Sequence, residues 1–352
     1  MKAKAPRGVW GGTWTLARLA AVALILFWVI SRGGGRDVAR ALFEADPRWT
    51  FAAAAVFFLS IVAGAWQWRL LLDLQGIRFG FGACFRSYYS GMFLNNFLPG
   101  TVGGDALRVW DVHRSNADGV KPSLGRAAAS TLLDRLMGFS ALSLFSLIAL
   151  ALEFQRQDMP RGLLLNLLKA VGAVSAAFVL LLLLLLSRRF SGALQAVIRA
   201  LGLQKLGDIH AKVQDALHAY RARWARIGGV FLLACLVQLL RVAVHACCAF
   251  ALHLSIAPAF FFSFIPLIAL TAVLPLNVGG WGVPQGLGAY LYGLPGILTA
   301  SAAASVAAFD PKAAAAALTF LPTAIGMVVM LGGGFYFVFR PSRQTSEPRT
   351  FP

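Results

Sequence analysis

Charge is what this chain has least of. Asp, Glu, Lys and Arg make up 13% of 352 residues, and only 14 of them are acidic. With 59% hydrophobic residues and a mean hydropathy of +0.71, too few polar side chains remain to cover a soluble domain. Cysteine is scarce as well. Cys84, Cys235, Cys247 and Cys248 lie in or beside apolar segments and form no C-x-x-C pair, which argues against a disulfide framework or a zinc site and reads as small buried hydrophobes. The five histidines are scattered, and G-x-x-x-x-G-K-[ST], H-E-x-x-H, G-x-S-x-G and D-x-D patterns are missing. The reading is therefore of a protein with no cofactor, no metal and no ATP hydrolysis. The alternating ten-residue segments of a transmembrane barrel are absent too.

Apolar runs near twenty residues recur instead, and only helices let such runs satisfy their backbone groups in lipid. The expected class is all-α: a polytopic integral membrane protein with about eight transmembrane helices plus two re-entrant or broken Gly-Pro segments, in two pseudo-repeated halves. The expected organisation is a cytoplasmic N-terminus over 1–13, a first half over 14–186 with a broken segment at 79–108, and a basic amphipathic connector over 187–226. A second half follows over 227–339 with a broken segment at 274–296, then a cytoplasmic tail over 340–352.

The net charge of +18 is distributed along the chain with excess Lys and Arg on alternate connecting segments. That is the positive-inside pattern, and it places both termini in the cytoplasm. It also accounts for the charge without a nucleic-acid partner. Lys2, Lys4 and Arg7 precede an apolar run to Ile30, and 31–34 make a poor cleavage site, so an uncleaved first span is preferred over a signal peptide. Residues 36–45 fit a short surface helix ended by Pro47. Trp49, Trp66 and Trp68 fit interfacial anchors of the second span. Residues 79–98 fit a re-entrant hairpin, and 106–126 a polar loop. In 187–226 eight basic residues face two acidic ones, with apolar positions at helical spacing, as in a helix lying on an anionic leaflet or a solvated connector. Residues 297–309 fit a short outward crossing.

The informative polar residues cluster at two interruptions. Leu98-Pro99-Gly100-Thr101-Val102-Gly103-Gly104 returns as Leu274-Pro275-Leu276-Asn277-Val278-Gly279-Gly280, L-P-x-x-V-G-G once in each half. Paired Pro-Gly breaks in corresponding positions point to a substrate site at a repeat interface. Candidate headgroup-binding residues around them are Asn95, Asn96, Gly103, Gly104, Asp105, Arg108, Asn277, Gly279, Gly280 and Gln285, joined by Asp134, Arg135 and Arg241 from the spans. A charge at the bilayer centre costs about 2.5–3.5 kcal/mol even on the lenient insertion scale, so each needs a reason. Lys169 can snorkel from a helix end. Asp105/Arg108 and Asp134-Arg135 are near enough in sequence to neutralise one another partly, as structural ion pairs or as a substrate site. Arg86 and Arg241 have no acidic neighbour, and no Asp or Glu occurs between Asp215 and Asp310. A phosphate would suit Arg241, because guanidinium binds it bidentately. The glycines either bring half-helix N–H groups to an anion or permit tight helix packing.

Three motifs in order, N-N-F-L-P-G-T-V-G-G-D-A-L-R (95–108), L-L-D-R-L-M-G (132–138) and L-P-L-N-V-G-G-W-G-V-P-Q-G (274–286), resemble the flippase-like family typified by the transmembrane region of bacterial lysylphosphatidylglycerol synthases. The resemblance covers about residues 14 to 340. It implies a protein that handles polar lipids across the cytoplasmic membrane, with membrane lipids as its partners. The family usually has Glu-Arg where this chain has Asp134-Arg135, and often an acidic residue near Gln285, so no proton-coupling role carries over to those positions. The synthases continue into a cytosolic aminoacyl-transferase domain. This chain stops soon after the last span, so that activity is expected to be absent and the protein is not expected to be an enzyme. The expected function is a lipid flippase for anionic-headgroup, hopanoid or polyprenyl-linked lipids. The alternatives are a non-catalytic partner of a lipid or lipid-linked glycan biosynthetic complex and an intramembrane lipid transferase. A homo-oligomer and partner enzymes of such pathways remain open.

Overall fold

The computed structural model describes residues 35–97, 102–115, 122–156, 160–186, 224–272, 281–300 and 311–339, with isolated positions 24, 27, 192, 220 and 277. The expected first span and most of the basic connector therefore lie outside the described residues. The rest is helical: α1 (Gly35–Phe43), α2 (Pro47–Leu74), α3 (Phe81–Phe97), α4 (Val102–Arg114), α5 (Leu124–Arg156), α6 (Arg161–Leu186) and α7 (Trp224–Ala251). A two-residue strand β1 (Leu254–Ser255) follows, then α8 (Pro258–Ala272), α9 (Val283–Tyr292), β2 (Thr299–Ala300) and α10 (Pro311–Val338). The protein is an all-α polytopic membrane protein, and α2, α5, α6, α7 and α10 are long and apolar enough to cross a bilayer.

The starts of these helices follow from local chemistry. Asp46 caps α2, accepting the Arg48 N–H at 2.8 Å, and Pro47 occupies the first helical turn, where its missing N–H costs nothing. α2 and α7 run antiparallel, joined at one end where the Asp46 N–H donates to the Ala251 carbonyl at 2.8 Å. Bulky apolar residues of α7, α8, α9 and α10 form the largest core, around Phe264, Tyr292 and Leu318. A second core beside α2 and α3 holds Ile61, Trp68, Tyr88 and Tyr89. Trp49 and Trp66 are exposed, as membrane anchors require, whereas Trp68 is fully buried.

One expectation changes, and another falls mostly outside the described residues. Residues 106–126 were expected as a polar loop, yet 102–114 are α4, a helix packed back on α3. Its polar content misleads because Gly104, Arg108 and Val112, at i, i+4 spacing, form a buried stripe. Of the expected outward crossing over 297–309, only 297–300 are described: the end of a turn and β2, which pairs antiparallel with β1 (Leu254 opposite Ala300). Residues 301–310 lie outside the described residues.

Candidate functional site

The first break is held by short-range contacts. Asn95, near the end of α3, accepts the Gly104 N–H on its side-chain oxygen at 2.8 Å, taking one of the free donors at the start of α4. Gly104 then crosses Gly91 so tightly that a β-carbon on it would stand 1.9 Å from the Gly91 carbonyl oxygen. The packing role of Gly104 is thereby explicit, and its N–H is occupied by Asn95. Gly103, beside it, is half-buried, and Leu98 to Thr101 lie outside the described residues.

This crossing sets α4 against α5 and α2, where four charges meet. Arg108, 3% exposed, donates to Asp134 at 2.9 Å and to Asp105 at 3.3 Å. Arg135 grips Asp105 with two parallel bonds of 2.9 Å, from Nε and Nη2. Gln67 donates to the second oxygen of Asp134 at 3.0 Å. The Arg108 guanidinium is also sandwiched between the Trp68 ring (4.2 Å to the centroid) and the Tyr88 ring (4.4 Å). Two cations and two carboxylates make the cluster neutral, which is what allows it to be buried. The pairing crosses between helices. Asp134 and Arg135 do not pair with each other, since successive residues on a helix point in different directions. Arg135 is the open end of the cluster, with 38% of its side chain exposed.

The second break repeats the capping logic. Asn277 accepts the Val283 N–H on its side-chain oxygen at 3.0 Å, and its amide donates to the Thr271 carbonyl. Gln285, 2% exposed, accepts the Gly282 N–H at 2.7 Å and donates to Thr323 of α10 at 3.0 Å. Gly282 itself sits at φ 131°, a backbone conformation open to glycine and little else. Gly279 and Gly280 lie outside the described residues.

Both breaks converge on α10. Asn96 donates to Met330 Sδ at 3.1 Å, and the Trp281 indole N–H donates to Met327 Sδ at 2.8 Å. The two methionines are one turn apart on the same helix face. Further along, Ser90 donates to the Gly333 carbonyl at 3.2 Å, and Tyr89 donates to the Val329 carbonyl. The last span is thus a common spine on which the interrupted segments of both halves rest.

The family model described as "Lysylphosphatidylglycerol synthase TM region" matches residues 15–326. The chain belongs to that family. A UPF0104 membrane protein of Methanothermobacter thermautotrophicus is 25% identical over 310 residues, covering 82% of this chain and 86% of the relative. UPF0104 membrane protein PH1989 of Pyrococcus horikoshii is 25% identical over 129 residues, 36% of each chain. The matched span of the family model contains every charge of the cluster and both breaks.

Of the remaining candidates, Arg241 is half-buried on α7 and lies within electrostatic range of Tyr88, as do Arg108, Arg135 and Asp134. Arg86 and Lys169 are exposed. Sequence reasoning missed Gln67, Trp68 and Tyr88, the uncharged wall of the cluster. The only signal was a glutamine inside an apolar span, at Gln67.

Proposed function

We propose that this protein is a lipid translocase that moves a polar, anionic-headgroup lipid across a bacterial inner membrane, with both termini in the cytoplasm and no chemical step. The observation that carries this reading is the Asp105–Arg108–Asp134–Arg135 cluster, held inside a membrane-spanning bundle by a broken hairpin. Ionisable groups at such depth are expensive and line the paths of polar cargo. The exposed edge of Arg135 is where a headgroup phosphate would first be met. Asn95, Asn96, Asn277 and Gln285 hold the half-helices that flank the path, while acyl chains stay in the bilayer. Because both breaks rest on α10, the α3–α4 hairpin and the α8–α9 segment can shift against one support. Family membership supports the substrate class at the level of polar lipids.

A second reading, a non-catalytic partner of a lipid or lipid-linked glycan biosynthetic complex, is favoured by the full pairing of Asp105 and Asp134, which a purely structural cluster would also show. The purified protein alone, reconstituted in liposomes with headgroup-labelled phosphatidylglycerol and an external quencher, separates the two. Protein-dependent flipping supports the translocase. Protein that inserts and folds yet flips neither this lipid nor a labelled polyprenyl phosphate supports the partner.

A further inference from the structure

On α7, Gln238, Arg241 and His245 stand at i, i+3 and i+7, one face of a helix whose other residues are overwhelmingly apolar. Gln238 is 4% exposed, and its Oε1 has no hydrogen-bond partner among the described residues. Its side chain reaches α5 at Gly138, where an added β-carbon would lie 2.8 Å from Gln238 Nε2, so that glycine is what admits it. Gly138 is one turn beyond Asp134 and Arg135. Arg241, one turn further along α7, is half-buried and makes no ion pair among the described residues. His245 has its Nδ1 tied to the Arg241 carbonyl at 3.0 Å, which leaves Nε2 as the nitrogen facing away from the backbone.

These three groups contrast with the neighbouring charge cluster, where every carboxylate oxygen is spoken for. A buried acceptor without a donor and a half-buried cation without an anion are both costly in a membrane. One ligand relieves both: a phosphodiester for Arg241, with a hydroxyl or ammonium donor beside it for Gln238 Oε1. We infer that Gln238, Arg241 and His245 form a mid-membrane site for a lipid phosphodiester headgroup that carries such a donor next to its phosphate. The inference rests on the lipid-transport reading and adds to it a place and a selectivity. Arg241 supplies affinity, and Gln238 discriminates between headgroups of equal charge.

The test is calorimetric binding to the purified full-length protein in detergent, with three probes: dihexanoyl phosphatidylglycerol, dihexanoyl phosphatidylmethanol (same charge, no donor) and free glycerol phosphate. The wild type should prefer phosphatidylglycerol over phosphatidylmethanol by about fivefold, the value of one neutral hydrogen bond. Arg241→Gln should weaken both lipids by about tenfold or more, as expected for losing a charge-assisted contact. Gln238→Met should erase the preference while leaving phosphatidylmethanol binding in place. Wild-type affinities in Arg241→Gln, or a preference preserved in Gln238→Met, would overturn the site. Glycerol phosphate binding as tightly as the lipids would overturn its assignment to a lipid. If Arg241→Gln fails to fold, Arg241→Lys serves: it keeps the charge, loses the fork, and should weaken phosphodiester binding, and unchanged binding overturns the proposal. A wild type that binds neither lipid yet flips lipid would overturn the site and leave transport standing. Intact binding without flipping would overturn transport and leave the site.

Discussion

Gly104 lies across Gly91 with no room for a β-carbon, and this contact closes the α3–α4 hairpin. Gly104→Ala should therefore destabilise the protein by about 1–3 kcal/mol or more, the usual cost of overpacking, because the obstructing atom is backbone and cannot rotate away. Gly82→Ala is the control. Among the described residues nothing lies within 4 Å of a β-carbon there, and alanine is the better helix former by about 0.5–1 kcal/mol. Thermal unfolding in detergent should move in opposite directions for the two substitutions.

Asp134 is the counter-ion of a guanidinium that is 3% exposed. Asp134→Ala removes the nearer of that guanidinium's two carboxylates and leaves only the 3.3 Å contact to Asp105, which Arg135 already holds, so the loss should approach the cost of breaking a buried pair, about 3 kcal/mol. Replacing the pair together, Arg108→Met with Asp134→Leu, should recover a large part of the loss, since packing then replaces two desolvated charges. Unfolding midpoints of the single and double variants check this. A double variant no better than Asp134→Ala would mean that the wider network, with Gln67 and Asp105, is what the fold requires.

Gln285 ties the start of α9 to α10 through two hydrogen bonds. Gln285→Leu keeps the volume and removes both, leaving the buried Gly282 N–H without an acceptor, at about 1–3 kcal/mol. Gln285→Glu puts a carboxyl in the same place. It keeps the acceptor for Gly282 while changing the partner offered to Thr323, so its loss should be smaller than that of Gln285→Leu by the same unfolding measurement.

Much of this was legible in the sequence, for physical reasons. Apolar runs set by bilayer thickness gave the long helices, and the L-P-x-x-V-G-G pair marked both breaks. What stayed hidden depended on direction. Asp134 and Arg135 are adjacent in sequence, but the helix turns them towards different partners, so their cross-pairing with Arg108 and Asp105 has no local signature. α4 was hidden because its buried stripe contains an arginine, stabilised by residues on three other helices. Trp68 read as a membrane anchor because its ring, by composition alone, is indistinguishable from that of Trp66. Its place beneath Arg108 is a tertiary fact.

The central claim is that the charge cluster at the first break handles a lipid headgroup, and the flip rate of headgroup-labelled phosphatidylglycerol in proteoliposomes tests it most directly. The variants are Arg135→Ala, at the exposed edge of the cluster, and Arg86→Ala, an exposed cation outside it. The account predicts that folded Arg135→Ala loses most of the flux while Arg86→Ala keeps the wild-type rate. Arg135→Ala flipping lipid as fast as the wild type would contradict it.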